Sequence, residues 1–109
     1  MSEFVAVCEL DQLTQDRALA VVVADEPVAL VLQGEEVYAI RDVCSHAEVP
    51  LSEGDVGPGP RISCWLHGSE FDLRTGEPDT PPAFEPVPVY ETRIERNEAD
   101  GKTIVSVRL

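Results

Sequence analysis

Cys64-Trp65-Leu66-His67-Gly68-Ser69-Glu70-Phe71-Asp72 sets a thiolate and an imidazole three positions apart, turns on Gly68-Ser69, and leaves through a short strand-like run. Upstream, Cys44-Ser45-His46 offers the same two donor types, and seventeen residues (47 to 63) separate His46 from Cys64. The pattern is C-x-H, seventeen residues, C-x-x-H. Two thiolates and two neutral imidazoles form a complete four-ligand set for a metal centre. Cys2His2 is also a zinc ligand set, so a zinc-stabilised interaction module is one reading. Zinc fingers, however, usually pair like residues, C-x-x-C and then H-x3-5-H, whereas each stretch here carries one of each kind.

The two stretches together resemble the Rieske [2Fe-2S] proteins, in which two Cys and two His share one cluster. The resemblance implies one such cluster per chain, with Cys44 and Cys64 on an inner iron and His46 and His67 on an outer iron whose ring edges face solvent. Two Fe(III) and two sulfides carry about +2, which two thiolates cancel. Four thiolates would leave the site near −2 and harder to reduce, so the mixed set raises the reduction potential. With both irons four-coordinate there is no open position for a substrate, which suits electron transfer rather than metal-assisted hydrolysis.

Departures within the family bear on the potential. Respiratory Rieske proteins add a Cys to each ligand stretch and join them by a disulfide; Val49 and Leu66 occupy those positions here. They also place a Tyr hydroxyl near the cluster, where this chain has Phe71, although Ser69 remains. Fewer hydrogen-bond donors place the expected potential at the low end of the family range, around −150 mV rather than near +300 mV. Val49, Pro50, Trp65, Leu66, Pro81 and Pro82 are expected to form an apolar collar that keeps water from the cluster.

The whole chain has 109 residues and a net charge of −13, from 21 acidic and 8 basic residues. That length fits a single domain, 1–109, with the cluster-binding part at about 42–83. The charge argues against nucleic acid and anionic membrane as partners; it serves either solubility or attraction to basic faces on redox partners. Three Cys cannot all pair, and Cys8 in an apolar run reads as a buried core thiol. The start Met-Ser-Glu-Phe has no basic n-region, and the longest apolar run, 18–24, is far short of a membrane span, so a cytoplasmic location is expected.

Strand signals recur at close spacing. Phe4–Cys8, Arg17–Val23, Val28–Gln33, Val37–Arg41, Arg61–Ser63, Glu70–Leu73, Val87–Glu95 and Thr103–Leu109 each read as strands. Between them lie a break at Asp25-Glu26-Pro27, turns at Gly34-Glu35-Glu36 and Arg74-Thr75-Gly76-Glu77, and a hairpin at Asp100-Gly101. Gly57-Pro58-Gly59-Pro60 reads as an irregular connector. No stretch has convincing helical periodicity. The expected fold is all-β, a small antiparallel β-sandwich or barrel of the Rieske type with an inserted cluster-binding subdomain.

The family resemblance extends to the ferredoxin components of bacterial aromatic-ring-hydroxylating dioxygenases. It implies a soluble one-electron carrier, not itself an enzyme, that takes electrons from a flavoprotein NAD(P)H reductase and gives them to a terminal non-haem iron oxygenase. The small subunit of a NAD(P)H-dependent nitrite reductase shares the fold and is the alternative, but many such subunits have lost the ligands that this chain keeps.

Overall fold

In a computed structural model the described residues are 4–43, 49–57, 59–65, 69–78 and 86–108. The elements are β1 (Val5–Glu9), a short 3-10 helix (Leu10–Gln12), β2 (Ala18–Val23), β3 (Glu26–Gln33), β4 (Glu36–Arg41), a second 3-10 helix (Leu51–Glu53), β5 (Val56–Gly57), β6 (Arg61–Ser63), β7 (Glu70–Asp72), β8 (Val89–Arg96) and β9 (Thr103–Arg108). Six strands form a nearly closed antiparallel barrel in the order β1-β9-β8-β4-β3-β2. The remaining three form a small sheet in the order β5-β6-β7. This is the all-β architecture expected, with the small sheet as the inserted part.

Alternation along the strands explains why β3 is buried on both faces. Val28 and Leu30, with Val37, Ala39, Val105 and Val107, fill the barrel interior. Ala29 and Val31 point the other way, and with Ile40 they meet Leu51, Ile62, Phe71 and Leu73 of the inserted part. One strand thus serves two cores, consistent with the near-continuous apolar run Val28-Ala29-Leu30-Val31-Leu32. Burying side chains of this size contributes roughly 1.5–3 kcal/mol each before entropy is counted. The second core therefore fixes the small sheet firmly on the barrel.

Several expectations shift in detail. Pro27 does not break the chain; it lies inside β3 opposite Val22, and the two-residue turn is Ala24-Asp25, with φ of 49° and 68°. The strand tolerates Pro27 because its backbone faces the end of β4, where its carbonyl accepts the Asp42 N–H at 3.0 Å and a missing donor costs no ladder bond. Gly57, expected to open the irregular connector, instead closes the two-residue strand Val56–Gly57, which pairs with Ile62 and Arg61. Cys8 is half-buried rather than fully buried; it sits where the β1–β9 register shifts, and burial pushes its thiol pKa up. The turns at Gly34, Gly76 and Gly101 take positive φ, as a tight reversal requires.

Candidate metal centre

Of the four predicted ligands, the structure describes Cys64. Cys44, His46 and His67 lie outside the described residues, as do Leu66, Pro81 and Pro82. Strand β6 delivers Cys64 to the edge of the small sheet, where the residue is 1 % exposed and its thiol is free of any disulfide. Its N–H donates to the Ser69 carbonyl at 2.7 Å, which closes the base of the second ligand stretch. Below that closure β6 and β7 pair as Ser63↔Glu70, Ile62↔Phe71 and Arg61↔Asp72. The segment between Cys64 and Ser69 is therefore bounded by a ladder and a core.

The first ligand stretch has a fixed root too. Asp42, at the end of β4, is 6 % exposed. Its two carboxylate oxygens accept the Ser52 N–H and the Ser52 hydroxyl, each at 2.6 Å. Ser52 belongs to the short 3-10 helix whose Leu51 is fully buried. The two ends of segment 43–51 are thus joined by one side chain. Charge-assisted bonds of this kind are about twice as strong as neutral ones.

These two roots touch. Gly54 follows the Asp42–Ser52 pair, and a Cβ built on it would lie 1.6 Å from the Ser63 carbonyl oxygen. Asp55 accepts the Ser63 N–H at 2.9 Å and the Ser63 hydroxyl at 3.2 Å. So the backbone leaving the first ligand stretch lies directly against the residue before Cys64. A third connection is rooted nearby: Val87 N–H donates to the Gly76 carbonyl at 2.8 Å, and Phe71 bridges to Pro78. Pro81 and Pro82 of the expected collar fall between these attachments, in residues 79–85, outside the described residues.

The described part of the expected donor set, Cys64, has the chemistry that a two-Cys, two-His centre asks of it. A buried, unbridged thiol sits at one hairpin root, and a second root that leads to Cys44 and His46 is held against it. Of the expected collar, Val49, Pro50 and Trp65 are described. Val49 packs on the core shared with Cys64, and Pro50 is half-buried. Trp65, by contrast, is 52 % exposed, because it lies beyond the last ladder pair of β6 and β7. Phe71 is fully buried in the same core as Cys64.

Sequence reasoning missed the Asp42–Ser52 pair and the close approach at Gly54. The first left a faint signal, an acid two positions before C-x-H with a serine ten positions on. The second left none, since Gly54 has an ordinary φ of −90°.

The turn after β7 is held by Asp72, which accepts the Arg74 N–H at 2.8 Å and pairs with its guanidinium at 3.0 Å. The Arg74 hydrogen bond holds the Asp72 carboxyl below its ordinary pKa. A depressed folded-state pKa gives stability that is present above the unfolded value of about 3.9 and lost as pH falls through the folded one. Acid unfolding of Asp72→Asn should therefore show a shallower loss below about pH 4 than the parent. Parallel pH-stability curves would discard this role.

Comparison with known proteins places this geometry. Residues 3–91 match the family model described as Rieske [2Fe-2S] domain. The anthranilate 1,2-dioxygenase ferredoxin subunit of Burkholderia cepacia is 38% identical over 107 residues, covering 98% of this chain and 94% of that protein. The ferredoxin of carbazole 1,9a-dioxygenase from Nocardioides aromaticivorans superposes with a TM-score of 0.83 at 36% identity, covering 94% of this chain and 95% of that one. A structure described as a complex of reduced oxygenase and oxidized ferredoxin in carbazole 1,9a-dioxygenase matches with a TM-score of 0.76 at 32% identity, over 93% of this chain and 99% of that one. A nitrite reductase small subunit from Mycobacterium tuberculosis shares the fold at 25% identity, with a TM-score of 0.81 over 100% of this chain and 96% of that one.

Proposed function

The chain belongs to the Rieske [2Fe-2S] domain family, and on that premise we propose that it is the ferredoxin of a multicomponent oxygenase system, taking one electron at a time from a flavoprotein NAD(P)H reductase and giving it to a terminal non-haem iron oxygenase. The observation that carries this reading is the joining of two ligand-bearing roots at Gly54 and Ser63, with the buried thiol of Cys64 on one of them. The Cys44 and Cys64 thiolates and the His46 and His67 imidazoles would hold the cluster. When bound, a cluster of this type accepts and releases one electron.

This chain's own residues do the rest. The apolar core of Leu51, Ile62, Phe71 and Val49 backs Cys64 and excludes water from that side. Trp65, the next residue in the chain after Cys64, is exposed to solvent. The net charge of −13 favours approach to a basic partner face, and such steering weakens with salt. Among the described residues no helix is long and apolar enough to cross a membrane. Work in a reducing cytoplasm is in keeping with the free thiols of Cys8 and Cys64. The identities favour the oxygenase ferredoxin over the nitrite reductase small subunit, 38% against 25%.

The test is potentiometric titration followed by EPR on protein purified without air. A rhombic signal of low average g in the reduced state, appearing near −150 mV, is expected. The same signal near +300 mV would keep the cluster and overturn the argument from Val49, Leu66 and Phe71. A colourless protein with stoichiometric zinc would make the chain a structural module instead.

A further inference from the structure

Asp42 is a buried carboxylate that is neither a predicted ligand nor part of a strand ladder. Both of its oxygens accept from donors of Ser52, the backbone N–H and the hydroxyl. An ionised carboxylate satisfies that arrangement at both oxygens at once. Its own N–H is held by Pro27, so side chain and backbone are both fixed. Burying a charge costs more than burying an amide, and an amide can close the same two bonds, since a serine hydroxyl either donates or accepts. The loop closure alone therefore does not require a charged residue.

We infer that Asp42 is a positioning residue for the metal centre, which clamps the first ligand stretch through Ser52 and, by its fixed negative charge, biases the centre toward its oxidised form. The inference rests on the proposed function. Asp42 is two peptide links from Cys44, which bounds their Cα separation at about 7 Å. With the reach of side chain and ligand added, the carboxylate stands within about 10–15 Å of the centre, and at an effective dielectric of about 20 one charge at that distance shifts an electron's equilibrium by about six- to fifteenfold. The direction follows from sign: an added electron is disfavoured beside a negative charge. The same carboxylate thus does two separable things, one by its shape and one by its charge.

The variants Asp42→Asn, Asp42→Ala, Ser52→Ala and Ser52→Thr separate them in the cluster-loaded protein. Each is poised against one fixed redox dye, and the ratio of reduced to oxidised centre is read by EPR and visible spectra. Loss of colour to an iron chelator is followed in parallel, well below the unfolding temperature. Asp42→Asn should raise the reduced-to-oxidised ratio severalfold while its rate of loss stays within about twofold of the parent. Asp42→Ala should raise both the ratio and the rate. Ser52→Ala should raise the rate about tenfold with little change in ratio, and Ser52→Thr, which restores the hydroxyl, should recover the parent rate. An Asp42→Asn ratio equal to the parent's would overturn the charge role, and Ser52→Ala or Asp42→Ala rates equal to the parent's would overturn the clamp. A parent protein with no reducible centre would instead overturn the proposed function.

Discussion

Cys64→Ala is expected to purify as a colourless protein with its β-sheet intact and iron content near zero. Cys64 is 1 % exposed and unbridged, so its thiolate has no evident role in the fold beyond filling space in the core. Trimming one buried sulfur leaves a small cavity, at a cost of about 1 kcal/mol by analogy with removing a single methyl group. The ladder pairs Ile62↔Phe71 and Ser63↔Glu70 flank the residue without involving its side chain. Its N–H bond to Ser69 is backbone only and survives the substitution. The centre, in contrast, loses one of two charge-neutralising ligands, for which alanine offers no replacement. His67→Ala should likewise lose the normal spectrum. Cys8→Ala is the control: Cys8 lies in β1, on the barrel core rather than on the core around Cys64, and its loss should leave iron and colour unchanged. Iron analysis, visible absorption and far-UV circular dichroism read all three. Full iron in Cys64→Ala, or loss of iron in Cys8→Ala, would mean that the thiolate has been assigned to the wrong residue.

Much of the architecture is legible in the chain because strands announce themselves by alternation and turns by their glycines. Thr103–Arg108 reads correctly, with Val105 and Val107 turned inward and fully buried. Arg61–Ser63 reads correctly as the strand that delivers Cys64. Pro27 misleads because a proline rule is a rule about hydrogen bonds, and only the three-dimensional pairing reveals that its backbone faces the spent end of β4. Val56-Gly57 misleads because two residues are too few to show a period, and it is a strand only by virtue of Arg61 and Ile62 beside it. Of the expected ligands, Cys64 is placed at the end of β6, and the other three lie outside the described residues. What is illegible is how the two ligand stretches are held together. That depends on non-local contacts, Asp42 with Ser52 and Gly54 with Ser63, of which the first leaves only a faint trace in the spacing and the second none.

Gly54 makes that distinction testable, and its replacement by alanine is expected to be among the most damaging single-methyl additions in the molecule. Its backbone, φ −90° and ψ 177°, is one that any residue adopts, so conformational freedom is not what glycine supplies there. Space is. The added Cβ would lie 1.6 Å from the Ser63 carbonyl oxygen and 2.8 Å from its carbon. Both are backbone atoms of a strand paired on one side to β7 and held on the other by Asp55, so neither can swing aside as a flexible side chain would. Relief requires moving the two ligand roots apart by more than about 1 Å, a displacement of the kind that overpacked sites charge at about 3 kcal/mol or more. It also breaks the Ser63–Asp55 bonds and spoils the register between the ligand pairs. Iron incorporation should therefore fall steeply, and the metal-free protein should unfold at clearly lower denaturant. Gly57→Ala is the matched comparison, since Gly57 lies three residues on, in β5 of the small sheet, has no positive φ, and has open space where its Cβ would be. It should behave like the parent in both assays. If Gly54→Ala matched Gly57→Ala in stability and iron content, the roots would not abut as described, and the link from fold to metal centre would have to run through some other contact.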